Sequence, residues 1–398
     1  LEAGGAGNTP AIRTPALYGQ LQDSPVDWGD RTLPQPQLGG RRIYMPQGRV
    51  LGGSSAINYM IYIRGDRSDY DAWQAAGNPG WSYADVLPYF IRAERNLSFA
   101  DAWHGVDGPL TVSSHPPGHP LVERYFAAAM ERGIPFNPDF NGASLAGCGP
   151  LQATIGHGAR CCAARAYLDP ARERPNLTVL THGHVTRLRF RGQRAVGVDY
   201  VRNGQAERAE ASQEVILSAG ALRSPQLLML SGIGPAHELE PLGIRVRLDL
   251  PGVGKNLQDH LHTRVRCAIT EPLTFPPLPD ADRSAVERAY QTHGAGPLAS
   301  NFLEAGAFLR SRPEETVPDL QHFFLMVLAP DYPEAGPPTR HGVTLTAYIC
   351  RPASRGEIRL ASADPLDRPR IDPRYLSEPQ DLRRAIAGVR WNPDLLYA

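Results

Sequence analysis

Apolar residues recur with helical spacing in three stretches of the chain. The first predicted helix, over residues 83–95, follows Ser82, whose hydroxyl can cap its first turn. Its apolar face is formed by Val86, Leu87, Phe90 and Ile91. A second helix is predicted over residues 120–132, ending before Gly133. A third, short helix is predicted after the turn at Ala219-Gly220, where leucines form a stripe that ends at Ser231 and Gly232.

Other stretches have the composition and spacing of strands separated by turns. Residues 177–181, 185–190 and 195–201 are three such stretches, and the last precedes Asn203-Gly204, a strong hairpin signal. Further strands are predicted at residues 108–112, 215–217, 343–350 and 357–360. Glycine and proline, 39 and 38 residues, are spread along the chain and indicate loops.

Two glycine-containing segments are candidates for a cofactor site. Residues 48–60, GRVLGGSSAINYM, combine glycines that leave room for a ligand with short serine donors and one amide. Residues 215–235 predict a strand, a small-residue turn at Ala219-Gly220 and a helix, whose N-terminus could receive a pyrophosphate. Taken singly, the first is equally consistent with an ordinary glycine–serine turn, and the second with a strand–helix corner that binds nothing.

Together the two segments resemble the two signatures of the glucose-methanol-choline (GMC) family of flavin-dependent alcohol oxidoreductases. Further family-like segments follow in family order over nearly the whole chain: residues 64–73, 80–83, 108–110, 164–168, 254–260 and 354–356. The sequences of these segments most resemble the branch of choline dehydrogenase and related bacterial alcohol dehydrogenases. The resemblance implies oxidation of an alcohol to an aldehyde or ketone, by hydride transfer to FAD.

The resemblance also implies a fold and its domains. We expect an α/β protein, α+β overall, with a Rossmann-like FAD-binding domain and a substrate domain whose antiparallel sheet is flanked by helices. The FAD-binding domain is expected to comprise residues 1–105 and 172–262, and the substrate domain residues 106–171 and 263–391. Residues 392–398 are separated as a truncated end.

The resemblance implies cofactor contacts for ten residues. Glu2 would bind the adenosine ribose, Val185 would present its backbone to the adenine, and Val50 with residues 58–61 would contact the isoalloxazine. The full set is Glu2, Val50, Gly53, Asn58, Tyr59, Met60, Ile61, Val185, Ala219 and Gly220. Some relatives attach flavin covalently through a histidine at the position of Ile57, whose side chain has no nucleophilic atom, so FAD is expected to bind non-covalently.

Two expected features are absent from the sequence. No Gly-x-Gly-x-x-Gly fingerprint is found, and the family's catalytic histidine would lie beyond residue 398, so no residue is assigned as the catalytic base. His260 is interpreted as a structural residue beside the flavin. We therefore expect an internal fragment that is inactive alone and binds FAD weakly or not at all. The histidine pairs lack zinc-type spacing, and no metal is expected.

Composition excludes several other classes. The 41 basic and 41 acidic residues balance, which argues against nucleic acid as a partner. Five cysteines without framework spacing favour a reducing compartment, and we expect a cytoplasmic protein, with or without membrane association. No apolar run approaches the roughly 18 residues of a transmembrane helix. The partners expected are an alcohol and an electron acceptor, neither identified by the sequence. Two alternatives stay open: a GMC-fold hydroxynitrile lyase, and a non-catalytic remnant.

Overall fold

The computed structural model describes residues 1–115, 118–274, 280–329 and 340–396. Within them the helices are α1 Pro10–Arg13, α2 Arg67–Ala75, α3 Tyr83–Ala93, α4 Pro120–Glu131, α5 Gly220–Leu230, α6 Ala236–Leu239, α7 Asp280–His293 and α8 Pro379–Leu396. Short 3₁₀ helices are Pro15–Leu21, Pro36–Leu38, Gly53–Ala56, Asp169–Ala171, Glu240–Leu242 and Pro297–Ala299, and Ala164–Leu168 is a π-helix. No helix of this described part is long and apolar enough to cross a membrane.

The strands are mostly short. They are β1 Asp30–Arg31, β2 Tyr44–Met45, β3 Ile61–Tyr62, β4 Glu94–Asn96, β5 Leu110–Ser114, β6 Gly147–Pro150, β7 Gln152–Ala153, β8 Ile155–Gly156, β9 Ala159–Arg160, β10 His184–Arg191, β11 Arg194–Arg202, β12 Gln205–Glu210, β13 Ile233–Gly234, β14 Leu248–Asp249, β15 Lys255–Leu257, β16 His262–Ala268, β17 Ala305–Leu309, β18 Leu320–Leu325, β19 Gly342–Ile349, β20 Gly356–Arg359 and β21 Arg370–Asp372.

The largest sheet is antiparallel and has the order β16-β19-β18-β17-β6. Helices α4 and α8 pack on this sheet. The apolar cluster between the helices and the sheet contains Tyr125, Phe324 and Leu345. A second apolar cluster, with Leu151, Phe308 and Phe323, also packs with this sheet. The expected α/β class, with an antiparallel sheet flanked by helices, is confirmed. Residues 392–396 of the predicted terminal segment continue α8, and residues 397–398 lie outside the described residues.

A meander of three strands, β10-β11-β12, lies beside α5. The predicted turn at Asn203-Gly204 joins β11 to β12, and both residues have positive φ angles, 52° and 76°. These angles are those of a type I′ hairpin turn, which suits the twist of antiparallel strands. The hairpin predicted from the dipeptide is therefore confirmed.

Two predicted strands are wrong. Residues 177–181 and 215–217 are not assigned to any strand, and the side chain of Ile216 is 79% exposed. Within the described residues, Val215 to Leu217 make no backbone hydrogen bond. An apolar run identifies a segment that can form a strand, but a strand also needs a hydrogen-bonding neighbour, and the run does not supply one.

Helix α3 begins at the predicted residue because its first turn is capped from both sides. The Ser82 hydroxyl accepts a hydrogen bond from the Asp85 backbone amide at 3.3 Å, and the Asp85 carboxylate accepts one from the Ser82 amide at 3.2 Å. This reciprocal arrangement satisfies two amides that the helix itself cannot.

A buried polar network connects the start of β4 to the surrounding loops. The Glu94 carboxylate accepts hydrogen bonds from Arg64 at 2.7 Å and from His104 Nδ1 at 3.0 Å, while His104 Nε2 lies 2.9 Å from Asp139. Burial alone would lower the pKa of His104, but its hydrogen bonds to Asp139 and Glu94 raise the pKa to about 9. The imidazole is therefore protonated at neutral pH and donates from both nitrogens.

The same histidine belongs to a group that could in principle hold a metal ion. Ligand atoms of Asp101, His104 and Asp139 lie within 4.8 Å of one another. Both imidazole nitrogens already donate to carboxylates, so neither offers a lone pair to a metal. The network is accounted for as a structural ion pair.

Replacing Ser82 with alanine should lower the free energy of unfolding by about 1 kcal/mol, because the cap of α3 is lost. The measurement is urea unfolding followed by circular dichroism. Ser212→Ala, an exposed serine after β12, is the control and should leave stability unchanged. Equal unfolding midpoints for the two variants would contradict the role of the cap.

Replacing His104 with glutamine should give a stability loss that depends on pH. The pKa of the folded histidine, about 9, lies above its ordinary value of 6.5, so its contribution is complete below pH 6.5 and disappears as pH rises through 9. This pKa difference corresponds to about 3 kcal/mol.

The measurement is the free energy of unfolding of parent and variant between pH 6 and pH 10. The gap between the two should narrow across that interval. His237→Gln, at a mostly exposed histidine, should show no such narrowing. A gap for His104→Gln that stays constant with pH would show that the imidazole is neutral in the folded protein.

Candidate cofactor cleft

The two glycine-containing segments meet at one cleft of about 610 Å³. Its walls come from the chain start, residues 47–54, the β10–β12 meander and the approach to α5. Five of the ten sequence-predicted cofactor residues line it: Glu2, Gly53, Val185, Ala219 and Gly220. The cleft therefore unites parts of the chain that are about 50 and about 220 residues from its start.

The first wall is a tightly folded loop. A Cβ atom on Gly48 would lie 2.3 Å from the backbone of Gly53, so a larger residue at position 48 would push the loop open. The Gly48 amide donates to the Ser54 hydroxyl at 3.1 Å, which closes the loop across its base. Gly53 itself has no atom near the position of a Cβ and leaves its side of the cleft open.

The second wall ends at the N-terminus of α5. Gly220 has a φ of 83°, which is unfavourable for residues with a side chain, and a Cβ there would approach only Gln47 Oε1, at 3.8 Å. The N-cap residue Ala219 makes no side-chain cap hydrogen bond. The first amides of α5 consequently face the cleft without a side-chain acceptor, as at helix ends that bind phosphate groups.

Positive charge borders the same cleft. The guanidinium groups of Arg49 and Arg223 lie over the indole of Trp28, at 4.8 and 4.3 Å from its ring centre. Arg223 forms an ion pair with the buried Asp30, but its Nη1, like Nε of Arg49, is buried without a hydrogen-bond partner. Burial and these two arginines together lower the pKa of His184, which also lines the cleft.

Glu2 supplies the acidic group of the cleft. Its Oε1 accepts a hydrogen bond from the Gly4 amide at 2.8 Å. Burial raises the pKa of this carboxyl, and the hydrogen bond from Gly4 counteracts part of that effect. A carboxylate held in this way can accept further hydrogen bonds from the hydroxyl groups of a ribose.

The other five predicted residues lie outside this cleft. Val50 and Met60 are fully buried in two apolar clusters, so neither residue presents an accessible surface to a ligand in this structure. Ile61 pairs with Ala153 between β3 and β7, and the ring of Tyr59 lies 4.6 Å from that of Tyr18. Asn58 is exposed, and its Oδ1 accepts from Arg160. Their cofactor contacts stay a prediction.

Tyr59 belongs to an aromatic surface on the large sheet. The ring of Tyr348 packs against His262 at 4.6 Å and against Phe323 at 5.2 Å. Burial and the charge of Arg264 lower the pKa of His262 to about 4, so this imidazole is neutral at pH 7. Its Nε2 already lies 3.3 Å from Arg264 Nε, which can donate to it. It is therefore not free to take a proton from a substrate.

The loop after β15 has no group poised for proton transfer either. His260 is exposed, and its interpretation as a structural residue beside the flavin stays a prediction. The neighbouring Asp259 carboxylate accepts a hydrogen bond from the Tyr375 hydroxyl, and burial raises the pKa of Tyr375. No histidine of the described residues is assigned here as a catalytic base.

Sequence reasoning missed the cationic side of the cleft. Arg49 and Arg223 stand inside the two recognised segments, but the charge becomes significant only because Trp28 gathers both side chains. Trp28 itself lies in no recognised motif. Arg223 and its partner Asp30 are 193 residues apart, so no local pattern links them.

The cleft fits FAD in its chemistry. Uncapped helix amides and two arginines suit a diphosphate, the Glu2 carboxylate suits ribose hydroxyls, and the small residues of both walls leave room for a flat ring system. The buried arginine nitrogens without partners are the sharpest sign of a missing anion, because such groups are costly when left unpaired.

Comparison with known proteins gives the same assignment. The family profile "GMC oxidoreductase" matches residues 2–262 with its N-terminal part and residues 352–398 with its C-terminal part. Alcohol dehydrogenase [acceptor] of Pseudomonas putida is 41% identical over 400 residues, covering 98% of this chain and 72% of that protein. Mitochondrial choline dehydrogenase of Homo sapiens is 44% identical over 370 residues, covering 92% of this chain and 62% of that protein.

A solved structure shows the same fold over the whole chain. An FAD-dependent oxidoreductase from Chaetomium thermophilum superposes with a TM-score of 0.88 at 28% identity, covering 100% of this chain and 77% of that one. With the family profile matched over most of the sequence, one conclusion follows. The chain belongs to the GMC oxidoreductases, a family of FAD-binding flavoproteins.

Proposed function

We propose that this protein serves the oxidation of an alcohol to a carbonyl compound, with FAD held non-covalently in the cleft between residues 47–54 and α5. The observation that carries the proposal is the combination of an open, uncapped helix end with two arginines, each of which has one buried nitrogen without a partner, Arg49 Nε and Arg223 Nη1. When bound, FAD would supply the group that accepts a hydride from the alcohol carbon.

The protein's own residues would bind and orient the cofactor. The amides at Gly220 and the two guanidinium groups over Trp28 would neutralise the diphosphate, and Glu2 would hold the ribose. The backbone of Val185 would face the adenine. Residues 58–61 would support the flavin ring from the side of the aromatic surface, where Tyr59, Phe323 and Tyr348 could exclude water from a bound alcohol.

We also propose the domain division expected from the sequence. In its favour, nearly all residues that line the cleft belong to residues 1–105 and 172–262, with Pro365 as the exception. The large sheet, in turn, joins β6 to β16–β19, so it unites residues 106–171 with the segment that follows residue 262.

Replacing Gly220 with alanine should weaken FAD binding at least tenfold, because relief of the strain at positive φ moves the first amides of α5 and the methyl group enters the cleft. Gly243→Ala is a matched control. Gly243 also has a positive φ, 71°, with free space around it, but it lies outside the residues that line the cleft. Both variants should lose about 1 kcal/mol of stability.

The measurement is a calorimetric titration of apo-protein with FAD. The titration extends to high FAD concentration, because weak binding is expected where no glycine fingerprint is present. An unchanged affinity for Gly220→Ala would remove α5 from the binding site. A parent protein that shows no saturable binding at millimolar FAD would contradict the proposal that this cleft holds the cofactor.

The reaction class is tested by product analysis on the FAD-loaded protein. Choline and a series of aliphatic and aromatic primary alcohols are incubated with and without an artificial electron acceptor. Oxidation predicts carbonyl product that depends on the acceptor or on oxygen. Carbonyl product formed from a hydroxynitrile without any acceptor would favour a lyase instead.

A further inference from the structure

Arg160 is a buried cation of unusual surroundings. Its side chain is 2% exposed and ranks among the largest fully buried side chains of the described residues. Strand β9 carries it, and the pairing of Arg160 with Ile155 directs it beneath the loop that follows the 3₁₀ helix Gly53–Ala56. The guanidinium therefore lies under part of the glycine-containing loop that contributes to the cleft.

Backbone and amide oxygens hold the guanidinium. Its Nε donates to the Ile12 carbonyl at 2.9 Å, and its Nη1 lies 3.1 Å from the Ser55 carbonyl. The same Nη1 is 2.8 Å from both the carbonyl and the side-chain Oδ1 of Asn58. Nη2 is buried and has no hydrogen-bond partner. Two separate stretches of chain, at Ile12 and at residues 55–58, thus converge on one cation.

No carboxylate neutralises this charge. Within the described part of the chain, no acidic oxygen lies within 4 Å of Arg160, whereas the other buried arginine, Arg64, is paired with Glu94 at 2.7 Å. Burial lowers the pKa of Arg160 to about 10, which still leaves it charged at neutral pH. A buried charge without a counter-ion is destabilising, and a neutral amide could bridge the same carbonyls without that cost.

We infer that Arg160 is a positioning residue whose uncompensated charge favours the reduced, more negatively charged form of the bound flavin over the oxidised form. The inference rests on the proposed function, since it takes residues 58–61 to lie against the flavin ring. Hydride transfer delivers two electrons and one proton to the ring, while the hydroxyl proton of the alcohol leaves to a base. The ring thereby gains one negative charge, and a nearby buried cation stabilises that charge.

Arg160 would act in two ways on the same loop. Its charge supplies a positive potential in a region of low dielectric constant, where charges interact more strongly than in water. Its hydrogen bonds fix the carbonyls of Ser55 and Asn58, so those dipoles point towards the guanidinium and away from other groups. Both effects make the loop a better environment for an anion.

The test compares the affinities of oxidised and reduced FAD, with the reduction potential of the bound cofactor as a second readout. Arg160→Gln should lower the preference for reduced FAD at least tenfold, which is about 30 mV for a two-electron couple. Arg160→Lys should retain most of the preference because it keeps the charge. Arg384 lies on α8 and pairs with Asp319, and Arg384→Gln should leave the preference unchanged.

A second variant keeps Arg160 in place and adds its missing counter-ion. Asn58→Asp is nearly isosteric and places a carboxylate oxygen where Oδ1 now lies 2.8 Å from Nη1. It should raise the melting temperature of the apo-protein, and it should lower the preference for reduced FAD in the same direction as Arg160→Gln. Combined with Arg160→Gln, the aspartate should no longer stabilise the apo-protein.

The outcomes separate the two proposals. A parent protein that binds neither form of FAD contradicts the proposed function. An Asn58→Asp variant that still gains stability only when Arg160 is present would then show that the charge is uncompensated. Normal FAD binding with an unchanged preference in both Arg160→Gln and Asn58→Asp overturns the inference while leaving the proposed function intact.

Discussion

Backbone hydrogen bonds made by the first five residues hold the cleft together. The Glu2 amide donates to Leu180, and the amides of His182 and Gly183 donate back to Gly4 and Glu2. On its other side the same segment receives the Leu51 amide at the Gly5 carbonyl. The chain start is therefore fixed between the glycine-containing loop and the approach to β10. Without these bonds the positions of the Glu2 carboxylate and of Arg49 would not be fixed relative to each other.

Buried charges are paired differently around β4 and around the cleft. Around β4 every buried charge has an opposite charge beside it, as with Arg64, Glu94 and His104, and among these three side chains Arg64 Nε alone is left without a hydrogen-bond partner. At the cleft Arg49 Nε and Arg223 Nη1 are buried donors without acceptors, and among the described residues no carboxylate oxygen lies within 4 Å of Arg160. Opposite charges that pair within the polypeptide stabilise the fold, whereas unpartnered donors at a cleft and a cation without a carboxylate can still attract a negatively charged ligand.

The local sequence is sufficient to predict a helix start or a turn that is formed by neighbouring residues. Ser82 with Asp85 determines where α3 begins, and Asn203-Gly204 determines the turn between β11 and β12. The strand predicted around Ile216 is wrong, because the pairing of a strand depends on residues that are distant in the sequence. In the site, the glycines of both walls were found from small-residue patterns. The contribution of Trp28 and the burial of Met60 depend on tertiary contacts and leave no trace in spacing.

The position of Trp28 gives the cleft an optical property. Of the five tryptophans in the chain, Trp28 is the one that lines it, beneath two guanidinium groups, while Trp73 and Trp81 are about half exposed on α2 and just before α3. Indole emission responds to nearby charge and is absorbed by a yellow chromophore within a few nanometres. Binding of a flavin in the cleft should consequently change the intrinsic tryptophan fluorescence of the protein, so that occupancy can be followed without an added label.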